Sequence, residues 1–395
     1  MPLTERGEHF LGIETLGGVV RMTLVRVAPE TKTIEIMRSI TETVSEAALD
    51  DWLTVVPRML ATIRLPVQVT ILALLDQRRA TIVSTGIQLT RSDSHSEIRQ
   101  AELDNLISQG LWKVANAERA AVALKMNISE QHVTLADADV LQVRLGGHRV
   151  VNPVGFTAKA IEFCFRETFV DDRLFKRLNA ALTEDNLHAL YEAPVIIANF
   201  VARLDPQARF LFVSVGLKET AIYYCDQMVM RYIDSFAWGG GELLSGVASQ
   251  FGVPPAVVER IFDYYQRGEV SRAMRRAIEA AASGELAMLS NGIATHEQRY
   301  GRCAVYVHST VGLPGFLFDP AFARRLGLNL KLTAVNETFI GEHSQFSVHL
   351  RKKDAVSHEY TFDALIAAII DTYAVAATTM SRAAKQRARW TLTSG

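Results

Sequence analysis

Cysteine is scarce in this chain, and the three that occur lie far apart. Cys164, Cys225 and Cys303 share no short spacing of the kind that zinc sites use. An odd number of distant cysteines also gives no disulfide framework, so we expect a protein of the reducing cytosol. The first ten residues contain no apolar signal region, which agrees with that expectation.

A charge excess and long apolar runs are missing as well. The formal net charge is −1, so the chain lacks the basic footprint of nucleic-acid-binding proteins and we expect no nucleic-acid partner. No run reaches the roughly 18 apolar residues that a membrane-spanning helix needs. Apolar residues make up 49% of the chain, which is typical of a globular protein, and 395 residues suffice for about two to three domains.

One stretch has a pattern that suits the wall of a ligand site. Phe210–Val215 is apolar on both faces, which predicts a strand in the middle of a sheet. Gly216 opens a tight turn, and a hairpin at 220–233 turns at Cys225-Asp226-Gln227. Gly239-Gly240-Gly241 then precede an apolar helical face, and the amides at a helix start favour anions. An ordinary mixed sheet with glycine turns explains the same pattern, since short glycine motifs are weak signals.

A similar pattern opens the chain. Phe10–Thr15 predicts a strand, Gly17-Gly18 a turn and Val19–Val27 a second strand, with a third after Pro29-Glu30. Two such openings indicate a duplicated pair of domains that face a cleft. This arrangement resembles the plan of the actin-like ATPase superfamily. The expected fold class is therefore α/β, with duplicated actin-like, ribonuclease-H-like domains around a cleft.

A β-rich segment lies between the two halves. Val140–Leu145 and Arg149–Val151 predict a hairpin around Gly146-Gly147, and Asn152-Pro153-Val154-Gly155 ends it before a strand that begins at Ala160–Phe165. This order resembles the inserted α+β subdomain of the FtsA family of bacterial cell-division proteins, which are actin homologues. The resemblance implies these boundaries: 1–80 and 172–205 for the first lobe, 81–171 for the insertion, 206–245 and 301–380 for the second lobe, 246–300 for its helical subdomain and 381–395 for a basic tail.

Apolar periodicity and turn residues predict the remaining elements. The predicted helices are Ser45–Leu65, Glu97–Ala115, Arg173–Leu182, Asn186–Leu204, Ala256–Tyr265, Val270–Leu289, Asp319–Leu326 and Thr361–Arg389. The further predicted strands are Val67–Leu75, Ala80–Leu89, Cys303–Val307, Leu330–Thr333 and Gln345–Leu350.

The resemblance also implies a nucleotide site in which key groups are replaced. Glu14 stands where the family has an aspartate in its first phosphate motif, Ser214 stands for the second acid, and His308-Ser309 replace a glycine pair before Leu313-Pro314-Gly315. A neutral hydroxyl cannot supply the charge that Mg²⁺ wants, and one lost charge-assisted contact weakens affinity roughly ten- to a hundred-fold. We therefore expect weak binding of ATP and magnesium, or none, and no efficient hydrolysis.

The implied nucleotide-binding residues are Glu14, Thr15, Gly17, Gly18, Ser214, Gly216, Thr220, Gly239, Gly240, Glu259, Arg260, Ser309 and Gly312. For Glu259 and Arg260 an exposed helix face is an equal explanation, and Thr220 serves equally well as a plain strand residue. No metal-ligand spacing and no catalytic arrangement of Ser, His, Asp or Cys is present in the sequence.

The end of the chain is basic. The cations Arg382, Lys385, Arg387 and Arg389 precede Trp390, and the FtsA family ends in a helix that lies on the membrane. Cations attract anionic headgroups by about 1 kcal/mol each, and tryptophan favours the interface. Basic residues also complement the C-terminus of a helix, so the same pattern fits an ordinary helix end.

Three functions follow from these observations. The resemblance implies a non-catalytic FtsA-like adaptor, cytoplasmic and peripheral on the inner face of the cell membrane, which links FtsZ-type filaments to the membrane or the divisome and assembles into filaments itself. The alternative is a scaffold like PilM, on the cytoplasmic side of a type IV pilus or secretion platform. An ATP-dependent kinase or chaperone is the third, and Ser214 argues against it.

Overall fold

A computed structural model describes residues 7–15, 18–44, 52–63, 65–66, 68–182, 187–301, 303–328, 331–350, 361–375 and 379–393. The predicted turn residue Gly17, the start of the predicted helix at 45–51 and Val67 lie outside the described residues. The side chains of Arg389 and Trp390 also lie outside them.

The strands and helices of the described chain have the following bounds. The strands are β1 (Glu8–Thr15), β2 (Val19–Ala28), β3 (Thr33–Thr43), β4 (Thr70–Leu75), β5 (Ala80–Thr90), β6 (Val133–Leu145), β7 (His148–Val150), β8 (Ala160–Asp171), β9 (Leu187–Glu192), β10 (Arg209–Val215), β11 (Thr220–Asp226), β12 (Val229–Phe236), β13 (Ala304–Ser309), β14 (Leu332–Ala334) and β15 (Ser347–Leu350). The helices are α1 (Trp52–Ile63), α2 (Gln100–Met126), α3 (Asp172–Leu182), α4 (Ala193–Leu204), α5 (Gly240–Phe251), α6 (Pro255–Gln266), α7 (Arg272–Tyr300), α8 (Pro320–Arg325), α9 (Glu337–Ser344), α10 (Asp363–Val375) and α11 (Thr379–Thr393).

Two mixed sheets repeat one pairing scheme. The six-stranded sheet has the order β15-β3-β2-β1-β4-β9, and the five-stranded sheet has the order β12-β11-β10-β13-β14. In the first, β1 pairs with β2 antiparallel and with β4 parallel. In the second, β10 pairs with β11 antiparallel and with β13 parallel. The two glycine-turn patterns of the sequence therefore do form equivalent strand–hairpin units.

Each of these strands contributes apolar residues to two hydrophobic cores, because alternate side chains point to opposite faces of the sheet. In β10, Leu211 and Val213 pack with α5 and α7, whereas Phe210 and Phe212 face the other way. The second face of each sheet meets one shared core that contains α4 and α10, which pack against each other. These two helices therefore lie between the six-stranded and the five-stranded sheet.

A third sheet, of four antiparallel strands, comes from the predicted insertion. Its order is β5-β8-β6-β7. Phe163 and Phe165 of β8 point to the face that α2 and α11 cover. Its other face carries Glu162, Cys164 and Arg166, as the alternation along β8 requires.

The structure corrects two of the predicted helices and adds one. The predicted helix Asn186–Leu204 is a strand, β9, followed by the helix α4, because Leu187–Glu192 pairs in parallel with β4 and Pro194 suits a helix start. The predicted single helix Thr361–Arg389 is two helices, α10 and α11, with residues 376–378 outside the described part. Helix α9 was not predicted.

The end of the chain also departs from the predicted lobes. Residues 301–380 were assigned to the second lobe, yet β15 pairs in parallel with β3 of the six-stranded sheet. Helix α10 contacts β1, β4 and α4, so it too belongs with that sheet. Among the described helices, none is both long and apolar enough to span a bilayer.

Candidate functional site

The floor of the cleft lies where β1, β10 and β13 end. Glu14 is the penultimate residue of β1, and Ser214 holds the equivalent place in β10. His308 of β13 is the register partner of Ser214, so the two lie side by side. All three side chains are buried.

Glu14 is occupied by a neighbour on its own hairpin. Arg21 is its cross-strand partner, and its Nε donates a hydrogen bond of 2.7 Å to Oε2 of Glu14. Arg21 also donates to the carbonyl oxygen of Thr361 at 2.5 Å and lies 4.4 Å from the centre of the Phe362 ring. Burial raises the pKa of Glu14, and Arg21 opposes that rise. The carboxylate is therefore already neutralised by an internal cation.

A second buried pair joins the two lobes at this floor. Nε2 of His308 lies 3.4 Å from Oδ2 of Asp363, the first residue of α10. Asp363 and His308 both act on the pKa of Glu14, the acid raising it and the imidazole lowering it, so all of these groups are close. Glu14, Arg21, His308 and Asp363 are named the floor cluster here. Within the described residues, neither carboxylate oxygen of Asp363 accepts a hydrogen bond.

The amides at the start of α5 also have internal partners. Gly240 N donates to Gly216 O at 2.9 Å, and Gly241 N donates to Leu217 O at 2.8 Å. Gly239 N donates to the carboxylate of Glu242 at 3.0 Å, which caps the helix. A Cβ at Gly239 would come within 2.5 Å of Gly216 O, and one at Gly240 within 1.8 Å of Val311 Cγ2. These glycines allow close packing of backbone on backbone, and the geometry does not favour an anion at this helix start.

The other implied nucleotide residues mostly stabilise loops. Thr220 Oγ1 donates to Trp238 O at 2.7 Å, and Ser309 Oγ donates to Val215 O at 3.2 Å. Thr15 Oγ1 accepts from Asp76 N at 3.0 Å. Gly18 has a φ of 92°, a conformation that suits glycine in the turn after β1.

Three more implied residues lie at the margins. A Cβ at Gly312 would meet no atom within 4 Å. Glu259 and Arg260 lie on α6, where Arg260 is exposed. A role in nucleotide binding stays a prediction for all of these residues.

The two positions that the resemblance assigns to phosphate-side acids do not offer Mg²⁺ a free carboxylate. Glu14 already accepts from Arg21, and Ser214 brings no charge. The part of the chain that the structure describes contains no group of three or more His, Cys, Asp or Glu side chains that could hold a metal ion. No catalytic step can be derived through a bound metal here.

A buried residue that the sequence did not single out, Glu192, connects all three sheets by hydrogen bonds. Glu192, at the end of β9, accepts from Tyr223 Oη of β11 at 2.6 Å and from Lys125 Nζ of α2 at 2.8 Å. It also accepts from Ile82 N of β5 at 2.7 Å. The glutamate is fully buried. The sequence did hold one signal, because Glu192 is a single acid in the apolar stretch that follows His188. Buried charges are rare unless they have partners, so such an acid indicates a partnered site.

A second charged network holds the end of the chain. Arg166 of β8 pairs with Asp139 and donates to Asp371 of α10 at 3.0 Å, and Arg203 of α4 also pairs with Asp371. Lys385 of α11 lies 3.5 Å from Asp137, and burial raises the pKa of that acid to about 6.

Helix α11 carries the basic residues for which membrane contact was predicted. Lys385 faces the four-stranded sheet, and Met380, Ala384 and Ala388 pack on the same sheet. Arg382 and Arg387 are exposed. The described apolar residues of α11 are therefore covered by protein, whereas membrane contact through the basic residues of this helix stays a prediction.

Comparison with known proteins shows which fold this architecture has. No family model matches the sequence, and no curated protein matches it. A solved structure from the PilM–PilN type IV pilus biogenesis complex superposes with a TM-score of 0.51 at 15% identity, over 96% of this chain and 98% of that one. The chain has the actin-like ATPase fold. The expected fold class is thus confirmed, whereas membership of the FtsA family is not shown.

Two more solved proteins are similar at lower scores. A Bacteroides thetaiotaomicron protein with an actin-like ATPase fold and unknown function has a TM-score of 0.38 at 10% identity, over 93% of this chain and 98% of that one. The ethanolamine utilization protein EutJ of Carboxydothermus hydrogenoformans has a TM-score of 0.39 at 12% identity, over 85% and 86%. At such identities the likeness concerns the fold alone.

Proposed function

We propose that this actin-fold protein is a non-catalytic adaptor that binds a partner protein, as a PilM-like scaffold does. The observation that carries the proposal is the floor cluster, in which Arg21 takes the acid that a metal–triphosphate would need. Arg21 forms a buried salt bridge with Glu14 and also donates a hydrogen bond to Thr361 O. The charge of Glu14 is therefore already balanced and is not free to bind a cation. The fold then supplies a rigid surface for binding rather than a nucleotide cycle.

The similarity to a chain of the PilM–PilN complex supports a protein partner. We place the chain at a pilus or secretion platform, as the counterpart of a PilM-like scaffold. The adaptor that links FtsZ filaments to the membrane remains a prediction without a specific observation in its favour. The described apolar residues of α11, Met380, Ala384 and Ala388, pack on protein and so do not support a membrane link.

Titration calorimetry tests the non-catalytic part of the proposal. Wild-type protein titrated with ATP, with and without Mg²⁺, is expected to give no saturable heat, and its ATP turnover is expected to equal the buffer blank. Glu14→Gln tests the retained acid, and Glu30→Gln on the exposed β2–β3 turn is the matched control. Magnesium-dependent binding that Glu14→Gln abolishes and Glu30→Gln preserves would contradict the proposal.

Crosslinking tests the partner. A tagged chain crosslinked in its native cells and analysed by mass spectrometry is expected to join a protein encoded with pilus or secretion components. Recovery of FtsZ, together with cosedimentation of purified chain with FtsZ filaments, would favour the cell-division adaptor instead.

A further inference from the structure

Five exposed arginines lie along α6 and the start of α7. They are named the arginine cluster here: Arg260, Arg267, Arg272, Arg275 and Arg276. The stretch from the first to the last of them contains two acids, Asp263 and Glu269, so its formal charge is +3 in a chain whose net charge is −1. The cluster is therefore a positive surface on a nearly neutral protein.

The arginine cluster has little internal compensation. In the described part of the chain none of the five takes part in a salt bridge, whereas the nearby Arg325 is paired with Glu279 at 2.8 Å. Glu279 also accepts from Tyr265 Oη at 2.6 Å, so this acid already has two donors. The exposed acids Asp263 and Glu269 form no salt bridge with a described residue either. The positive charge is therefore available to an anion from outside.

The start of α7 carries charge of the sign that a helix start disfavours. Its first turn contains no acid, and Arg272, Arg275 and Arg276 follow the cap residue Ser271 closely. The exposed amides at a helix N-terminus act as a partial positive charge, which attracts anions and repels cations. Arginines there lower the stability of the helix, and features that cost stability are common at functional sites. The same amides add to the positive potential that an incoming anion meets.

Two aromatic rings order arginines of the cluster. Cζ of Arg267 lies 5.4 Å from the ring centre of Tyr264, and Cζ of Arg275 lies 5.0 Å from that of Tyr265. The Tyr265 ring packs in turn on Phe316, with 4.8 Å between the ring centres. A guanidinium that is already ordered on a ring loses less freedom when it binds a ligand.

The exposed face of α6 combines cations with side chains that favour a membrane interface. Val257, Arg260, Tyr264 and Arg267 recur at spacings of three and four residues, which places them on one face of the helix. Val257 is 37% exposed and Tyr264 48%. A cluster of about four to eight Lys or Arg on an amphipathic helix is typical of surfaces that bind anionic lipids, and tyrosine favours the headgroup level. Nucleic acid fits less well, because the whole chain has no basic net charge.

We propose that the arginine cluster docks this protein on a membrane surface rich in anionic phospholipids. Helix α6 lies along that surface, with Tyr264 and Val257 at the level of the headgroups. Arg267, Arg272 and Arg276 donate hydrogen bonds to lipid phosphates, as guanidinium forks do. This contact is separate from the predicted membrane contact through α11. It goes beyond the proposed adaptor function and does not depend on it.

Cosedimentation of the purified chain with lipid vesicles tests the proposal. Binding is expected to vesicles of phosphatidylcholine mixed with phosphatidylglycerol, and weaker binding to phosphatidylcholine alone and at high salt. The pair of substitutions Arg272→Glu and Arg276→Glu is expected to weaken binding to the mixed vesicles at least about tenfold. Arg231→Glu with Arg299→Glu, which changes two exposed arginines elsewhere by the same charge, is the matched control and should bind as the wild type does.

A loss of folding would be separated from a loss of binding by urea unfolding. Acids stabilise the start of a helix, so the Arg272→Glu, Arg276→Glu protein should unfold at the urea midpoint of the wild type or above it. Tyr264→Ser removes the ring from the exposed face of α6 and is expected to weaken vesicle binding about threefold.

Other results would overturn the proposal. No binding to the mixed vesicles, equal binding to phosphatidylcholine alone, or an equal loss in the control pair would remove the site. A loss in Arg382→Glu, without one in the Arg272→Glu, Arg276→Glu protein, would make α11 the membrane surface. If that protein lost its crosslinked partner and the wild type bound no vesicles, the cluster would be a protein contact. ATP turnover would overturn the adaptor function and leave the vesicle result standing.

Discussion

Glu192 and Glu167 are both fully buried, yet their surroundings are opposite. Glu192 accepts hydrogen bonds from Ile82 N, Lys125 and Tyr223, which belong to three different elements. Neither carboxylate oxygen of Glu167 in β8 has a hydrogen-bond partner among the described residues. Burial alone therefore does not determine what a carboxyl group contributes to the stability of the fold. The same residue type holds the lobes together at one place and weakens the fold at the other.

The largest effect is expected when the satisfied acid is neutralised. Glu192→Gln keeps the shape but leaves Lys125, whose side chain is 10% exposed, without its counter-ion. Breaking a buried pair costs about 3–5 kcal/mol. Urea unfolding at pH 7 should show this loss of unfolding free energy. A loss below about 1 kcal/mol would mean that Glu192 does not join the lobes, since a single neutral hydrogen bond is worth that much.

The identical substitution at the unsatisfied acid should act in the opposite direction. Burial, with the nearby Glu118 carboxylate adding to it, raises the pKa of Glu167 to about 9. In the unfolded chain a glutamate titrates near about 4.3. Between these values the folded state keeps a proton that the unfolded state loses, so stability falls as the pH rises through this window.

Glu167→Gln removes that dependence. The variant is expected to be more stable than wild type by several kcal/mol at pH 8 and by about 1 kcal/mol at pH 5, and the difference should vanish below about pH 4. Urea unfolding of both proteins from pH 5 to pH 8 measures it. A difference that stays constant across this range would show that Glu167 is ionised in the folded protein.

A smaller effect is expected at Lys385, which has partners but lies in the last helix. Asp137 and Asp139 lie 3.5 and 3.6 Å from its ammonium. Lys385→Met should cost about 1–2 kcal/mol, because it leaves these acids short of a charge-assisted contact. Hydrogen exchange of α11 should accelerate, with Arg382→Met on the exposed side as the control. Equal exchange in the two variants would show that the ion pair does not hold α11.

Sequence reasoning predicted the strands whose apolar residues fill two cores. Phe10–Thr15 and Phe210–Val215 lie within β1 and β10, and their hairpins follow as expected. It misassigned Leu187–Glu192, because the helical pattern of the next segment extends back over a strand whose pairing with β4 is long-range. Tertiary pairing overrides local propensity at such places.

The candidate site was less predictable than the fold. The sequence indicated that Ser214 lacks a charge, but not that Arg21 pairs with Glu14, although the hairpin register sets them opposite each other. His308 was noted in the sequence only as the replacement of a glycine in the implied nucleotide site, whereas its imidazole lies beside Asp363, a contact between residues remote in sequence. Contacts of this kind depend on how the lobes meet, which no local pattern encodes.

The return of β15 and α10 to the six-stranded sheet has a consequence for synthesis on the ribosome. The strands of the five-stranded sheet all lie within Arg209–Ala334, so that lobe can fold as soon as this continuous stretch has emerged. The six-stranded lobe is completed later, because its edge strand at Ser347–Leu350 and its helix at Asp363–Val375 are translated after the whole five-stranded sheet. The N-terminal half is thus begun early and completed late, and a nascent chain stalled before Ser347 would expose the flank of β3.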